Sequence, residues 1–185
     1  MSGRSLRPGC ALALLLLFAA VPAHAQQGGW RDDNGALIPN TESRKSAGGF
    51  AGSILVTPDQ DWSKKWNTPG KVTPRFSETG TIPRGKKIWV LIFFANPKLD
   101  AEGNSHITCD LRFVKPDGSV SFDKKGMTCF KGRLGGDPHL VYLTSPAEFV
   151  GDPGDPQGTW RVAARVRDMK RGTELTLLTA FTLRN

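Results

Sequence analysis

The chain has 185 residues and three cysteines, and its 25 basic and 17 acidic residues give a formal net charge of +8 at pH 7. A chain of this length fits a single domain, so no second hydrophobic core is expected. The positive charge allows contact with anionic surfaces but does not specify one.

Residues 1–25 have the pattern of a secretory signal peptide. Two arginines precede the apolar run 10–21, and residues 23–25, AHA, then form a small-residue cleavage site. The apolar run is shorter than the ~18 residues that cross a bilayer. We therefore expect an exported protein, periplasmic or secreted, that has no membrane span after cleavage.

The rest of the chain divides into two parts by composition. Residues 26–50 are rich in Gly, Asn, Ser and charged residues without a sustained period, which predicts a flexible N-terminal arm. Residues 51–185 contain short β-branched and aromatic runs separated by Gly and Pro turns. This spacing predicts an all-β sandwich.

The segment 57–69, TPDQDWSKKWNTP, predicts that helix. Thr57 and Gln60 match a capping box with a proline at the first helical position, so the helix is expected to begin at residue 58. Trp62 and Trp66 are four residues apart and share one face. We predict that the two indoles close one end or side of the sandwich; the alternative is a stacking platform for sugar rings or a peptide.

Strands are expected wherever apolar residues alternate or cluster between turn signals. The segment 106–113 alternates strictly, whereas 88–95 is apolar on both faces, typical of a covered central strand or of one that meets a partner. Val120 and Phe122 are expected to point inward. The predicted strands are 53–56, 88–95, 106–113, 119–123, 127–130, 140–143, 160–167 and 174–183, with a turn at 124–126 and an irregular loop at 149–160.

Cys109 and Cys129 remain after removal of the leader, and an exported protein matures in an oxidising compartment. We predict a disulfide between them. Two free buried thiols are the alternative, and a zinc site would need more ligands than these two sulfurs supply.

The C-terminal part resembles immunoglobulin-like modules of bacterial surface and periplasmic proteins, especially macroglobulin-type modules. The resemblance lies in IPRGKKIWVLIFF (82–94), VKPDGSV (114–120) and DPQGTWRVAARVRD (155–168), followed by a last strand ending at Phe181. It covers about residues 80–184 and implies an immunoglobulin-like antiparallel β-sandwich, to which the segment 57–69 adds one short helix. The thioester and bait region of macroglobulins have no counterpart here, so the resemblance implies no activity.

Residues suited to catalysis or metal binding are few. His106 and His139 lie outside any nucleophile or zinc motif and are expected on the surface. Carboxylates near 100–104 and 152–155 are compatible with calcium but also with ordinary turns. We therefore predict that the chain is not an enzyme, with no cofactor and no metal.

Arg161, Arg165 and Arg167 share one face of the strand 160–167 and are expected to bind carboxylates or phosphates, unless they form a solvated face. The expected function is a non-enzymatic exported binding or adaptor module that engages another cell-envelope protein. The alternative is a glycan or small-ligand module that uses Trp62 and Trp66. Nucleic acid is not an expected partner.

Overall fold

The computed structural model of the protein describes residues 29–32, 34–68 and 74–185. These residues form ten β-strands and one α-helix. The elements in chain order are β1 (Arg44–Ala47), β2 (Phe50–Thr57), α1 (Trp62–Asn67), β3 (Thr81–Pro83), β4 (Lys87–Ala95), β5 (Asn104–Val114), β6 (Val120–Arg133), β7 (Val141–Leu143), β8 (Ala147–Val150), β9 (Gly158–Asp168) and β10 (Thr173–Arg184).

The strands form two packed sheets. Sheet 1 has the order β1-β2-β4, and the free side of β4 pairs with β7 at one end and with β8 at the other. Sheet 2 has the order β3-β10-β9-β5-β6, in which only the short β3 runs parallel to its neighbour. The prediction of an all-β sandwich with one short helix is therefore confirmed.

The core lies between the sheets and is built by alternation along each strand. The inward residues of β5 and β9 are 5% exposed or less, and Trp160 is fully buried. Its ring stacks on Phe181 at 6.2 Å between centroids and lies 5.1 Å from Phe149. Complete burial of a large apolar side chain contributes about 1.5 to 3 kcal/mol, so this aromatic cluster is a main source of stability. The core residues of the two strands are Ile107, Cys109, Leu111, Phe113, Trp160, Val162, Ala164 and Val166.

Strand β4 is buried on both faces. Val90 and Phe94 face the core, whereas Leu91 and Phe93, on the opposite face, are only 0% and 4% exposed. The aromatic residues of helix α1 cover this outer face. The segment 88–95 is therefore a covered central strand.

Helix α1 begins at Trp62, four residues later than the capping box predicted. Thr57 is still part of β2, where it pairs with Trp89, and its hydroxyl accepts the amide of Asp59 at 3.1 Å. The side chain of Gln60 donates to the carbonyls of Pro58 and Lys87. The predicted capping box is thus wrong, because sheet pairing holds Thr57 in an extended conformation.

Strand β6 also differs from prediction, because it runs unbroken through residues 124–126, where a turn was expected. The register with β5 shifts there, and Gly126, with φ +65°, donates its amide to Asp110 at 2.8 Å. The lysine-rich segment is therefore a bulge, which glycine accommodates. Val120 and Phe122 were predicted to point inward. Phe122 does lie opposite the core residue Phe113 and packs on it, but at the edge of the sheet it and Val120 remain 44% and 43% exposed.

Three of the four shortest strands, β1, β3 and β8, were not predicted, because three or four residues are too few to show a period; the fourth, β7, lies within the predicted strand 140–143. Strand β1 lies within the segment 26–50, and Trp30 in the same segment donates its indole N–H to the carbonyl of Gly52 at 3.1 Å. Strand β8 includes Phe149 and Val150, which were assigned to an irregular loop.

The predicted cysteine pairing is present in the structure. The Sγ atoms of Cys109 and Cys129 lie 2.11 Å apart, at disulfide distance. Cys109 is in the core and Cys129 lies at a register shift of β6. Among the described residues, no helix is both long and apolar enough to span a membrane. The predicted leader, residues 1–25, lies outside the described residues.

Candidate functional site

The two predicted binding groups lie on opposite outer faces of the sandwich, so they do not form one site. On sheet 1, Trp62 packs on Trp89 with ring centroids 5.5 Å apart, and Trp66 packs on Phe93 at 5.4 Å. Phe76 contacts Phe93 from the chain that follows the helix. The indoles are half-buried and serve as the packing surface of α1.

Asp59 connects helix α1 to the segment that follows it. Its carboxylate accepts a hydrogen bond from Lys65 Nζ at 2.7 Å and another from the amide of Ser77 at 2.9 Å. Burial raises the pKa of Asp59, but the hydrogen bonds from Lys65 and Ser77 outweigh burial and leave the pKa lowered. Helix α1 and the segment after it are thus held to each other by a charged contact as well as by aromatic packing.

On sheet 2, the three predicted arginines all lie on the outer face of β9 but have different surroundings. Arg167 donates two hydrogen bonds to Asp110 on β5 and one to Glu174 on β10. Arg165 lies 3.3 Å from Glu174, whereas Arg161 has no ion pair with any described residue. Of the three, Arg167 is held by carboxylates of its own sheet, so the predicted stripe is not three equivalent binding groups.

The Arg167 contact also determines the charge of Asp110. The hydrogen bond from Arg167 lowers the pKa of Asp110 to about 2, and the amide of Gly126 adds to this effect. Asp110 is therefore ionised across the physiological range. Asp110, Arg167, Glu174 and Arg165 form a four-residue ion network in which two positive and two negative charges cancel.

A groove of about 510 Å³ runs beside this network on the outer face of sheet 2. Four cationic side chains line it, Arg112, Lys125, Arg165 and Arg167, against two anionic ones, Asp110 and Asp123. Ala163 forms part of its floor. The sequence analysis did not predict Arg112 as a site residue. Alternation shows that Arg112 lies on the polar face of its strand, but not which cations of the neighbouring strands lie next to it.

A second groove, of about 310 Å³, opens between β6 and β8, where the two sheets part. Its walls combine apolar side chains, Leu111, Phe113, Phe122 and Phe149, with the acidic residues Glu148, Asp152 and Asp155. Phe122 meets Phe113 edge to face, with centroids 5.9 Å apart. Strand β6 forms one rim, and its other side pairs with β5.

The residues considered for catalysis or metal binding are dispersed. His139 is exposed in a loop, and His106 is half-buried on β5. Asp100 accepts hydrogen bonds from Lys170 and from the amide of Asn104, and the Lys170 contact lowers its pKa to about 2. Within the described residues, no group of three or more His, Cys, Asp or Glu is arranged to hold a metal ion.

No protein-family model matches this chain, and a search of the curated proteins finds no match. Among solved structures, it resembles a family 123 glycoside hydrolase from Clostridium perfringens, with TM-score 0.41, 8% identity, and coverage of 72% of this chain and 27% of that one. It also resembles an alkylpurine DNA glycosylase from Pseudomonas fluorescens, with TM-score 0.38, 18% identity, and coverage of 57% and 28%.

A third similar structure is an immunoglobulin-like protein from Pseudomonas aeruginosa, with TM-score 0.29, 20% identity, and coverage of 60% of this chain and 83% of that one. The chain spans only 27% and 28% of the length of the two enzymes. At these identities the likenesses concern the mostly-β fold and transfer no activity, substrate or partner to this chain.

One prediction is corrected by these comparisons. The lack of a catalytic motif led to the prediction that the chain is not an enzyme, but two of the similar structures belong to a glycoside hydrolase and a DNA glycosylase. The prediction is therefore contradicted: an all-β fold without a recognisable motif is no ground for excluding catalysis.

Proposed function

We propose that this chain is an exported binding module of the immunoglobulin-like type that engages another cell-envelope protein along the outer edge of strand β6. The observation that carries the proposal is the position of β6 at the end of sheet 2. Within the described residues it pairs with β5 alone, so one side of its backbone has no strand partner.

The length and exposure of β6 suit this role. It is the longest strand, with 14 residues, and its first seven residues are all exposed. An unpaired strand edge offers amide and carbonyl groups to an incoming extended segment, which then adds a strand to the sheet. Val120 and Phe122 are exposed on this strand, and Phe122 also lines the groove between β6 and β8, so both can contact side chains of that segment.

The same strand carries features that oppose indiscriminate pairing. Lys124 and Lys125 are exposed, and the bulge at Gly126 interrupts the regular register. Lysines and bulges are the means by which natural edge strands avoid aggregation. They restrict the edge to a partner whose backbone follows the bulge and whose side chains complement the lysines.

Site-specific photo-crosslinking in the producing cell tests the proposal. In the test variant, a photoreactive residue replaces Phe122, which is 44% exposed. In the matched control it replaces Leu178, an apolar residue of β10 that is 40% exposed. We expect one discrete adduct from position 122 and none from position 178. Equal adducts from both positions, or none from position 122, would refute binding at the β6 edge.

A further inference from the structure

The outer face of sheet 2 has a depression centred on Ala163. Strand pairing places Ala163 of β9 directly opposite Arg112 of β5, and Arg161 and Arg165 lie two residues to either side of Ala163. Because residues two apart on a strand project from the same face, these three arginines surround the small side chain. Diagonal neighbours across an antiparallel pair lie about 7 to 8 Å apart, within reach of long side chains.

The space above Ala163 is open on two sides. The groove of about 510 Å³ includes Ala163, Arg112 and Arg165 together with Asp110 and Asp123, and Asp123 lies opposite Arg112 on β6. An adjoining depression of about 300 Å³ includes Ala163, Arg161 and Leu178, with one carboxylate, that of Glu42. A methyl group at this position leaves room between the arginines that a larger side chain would fill. Ala163 is therefore the shared floor of both depressions.

The arginines around Ala163 differ from Arg167 in how far their charge is already compensated. Arg112 and Arg161 are exposed and form no ion pair or side-chain hydrogen bond with any described residue. Arg165 is 51% exposed and has Glu174 on one side, at 3.3 Å. Arg167, by contrast, is bound by Asp110 and Glu174.

We propose that a phosphate group binds above Ala163, held by Arg112, Arg161 and Arg165. A single guanidinium group is enough for a planar carboxylate, as Arg167 shows with Asp110 in this structure. Three guanidinium groups that approach from different directions suit a tetrahedral oxyanion, whose oxygens point to different donors. The phosphate site lies on the outer face of sheet 2, whereas the groove proposed for protein binding lies between β6 and β8. Phosphate binding does not depend on protein binding at that groove.

Titration of the isotopically labelled protein with inorganic phosphate, at constant ionic strength maintained with chloride, tests the site by NMR. We expect saturable shifts of the amides of Ala163 and Arg112. Arg112→Ala, which breaks no described ion pair, should raise the dissociation constant about tenfold, the loss expected for a charge-assisted hydrogen bond. Ala163→Leu keeps every charge but fills the floor, so saturation should disappear.

Vesicles distinguish the two sources of a phosphate group. If the protein binds phosphatidylglycerol vesicles but neither phosphatidylcholine vesicles nor inorganic phosphate, the ligand is a lipid headgroup. If inorganic phosphate saturates the site, the ligand is free phosphate or a small phosphate compound. Lys64→Ala removes an exposed cation from helix α1, which packs on the other sheet, and is the control for net charge. The proposal is overturned if neither probe binds, or if Lys64→Ala weakens binding as much as Arg112→Ala and Ala163→Leu has no effect.

Discussion

Arg167 on β9 donates two hydrogen bonds to the carboxylate of Asp110 on β5, at 2.9 and 2.6 Å. A third hydrogen bond, at 2.6 Å, joins Arg167 to Glu174 on β10. Three neighbouring strands of sheet 2 are thus connected on their outer face by a single side chain. The contact makes Arg167 a structural residue, and for this reason the proposed phosphate site uses the other arginines of this face.

Asp110→Asn should lower the free energy of unfolding at neutral pH by about 1 to 2 kcal/mol, because it removes the charge that Arg167 pairs with. The hydrogen bond from Arg167 lowers the pKa of Asp110 from 3.8 to about 2, so the contribution is complete above pH 3.8 and is lost as the pH falls towards about 2. Urea unfolding of both proteins along this pH range measures the difference.

Asp123→Asn is the matched control for that experiment. Asp123 belongs to the same groove, but its carboxylate is 34% exposed and lies 3.9 Å from Lys125. Surface pairs of this kind contribute little, so its free energy of unfolding should stay within about 0.5 kcal/mol of the parent. An Asp110→Asn protein as stable as the Asp123→Asn protein would contradict a structural role for the Arg167 contact.

Trp66→Ala and Trp62→Ala should each lower the free energy of unfolding by about 2 kcal/mol. Each indole packs against an aromatic residue of β4 while remaining partly exposed, so the loss falls below the 3 to 5 kcal/mol typical of fully buried aromatic residues. Thermal and urea unfolding followed by circular dichroism give the values. Unchanged stability, with loss of binding to an envelope polysaccharide, would instead favour the stacking-platform hypothesis.

Replacing both Cys109 and Cys129 with Ala should lower the free energy of unfolding by about 3 kcal/mol. The bridge joins residues 20 positions apart, and closing a loop of this size restricts the unfolded chain. A reducing agent should destabilise the parent protein by a comparable amount and leave the double variant unchanged. A parent protein that is indifferent to reduction would contradict the predicted contribution of the bridge.

Asp168→Ala should lower the free energy of unfolding by about 3 kcal/mol or more, since it leaves Arg171 without its carboxylate partner. The Asp168 side chain is fully buried and accepts the amides of Lys98 and Arg171, at 2.7 and 3.1 Å. Arg171 in turn donates to the carbonyls of Gly48 and Asn96, so the pair connects the two sheets.

Asp152→Ala, at an exposed loop position, is the control for Asp168→Ala and should change stability by about 0.5 kcal/mol at most. Differential scanning calorimetry of the two variants separates the effects. If the melting temperature of Asp168→Ala equals that of Asp152→Ala, the buried pair does not hold the sheets together.

Features that depend on neighbours along the chain were predictable from the sequence. Strict alternation in 106–113 places Cys109 in the core, and the two-sided apolar run 88–95 indicates a strand whose two faces are both covered, either within the protein or by a partner. The spacing of Trp62 and Trp66 identifies a short helix whose indoles need a surface to pack on. In each case a local period or spacing determines which side of an element is buried.

The sequence by itself therefore determined the all-β class, the long strands β4, β5, β9 and β10, the cysteine pairing and the need of the tryptophan pair for a surface to pack on. Only the tertiary structure decided that β6 lies at a sheet edge, where Val120 and Phe122 are exposed. It also decided that Arg167 pairs with Asp110, and that Arg112 lies opposite Ala163 without an ion pair among the described residues. These features depend on which strands become neighbours and in which register. Alternation specifies the face of a side chain, but strand order and register specify its partners across the sheet.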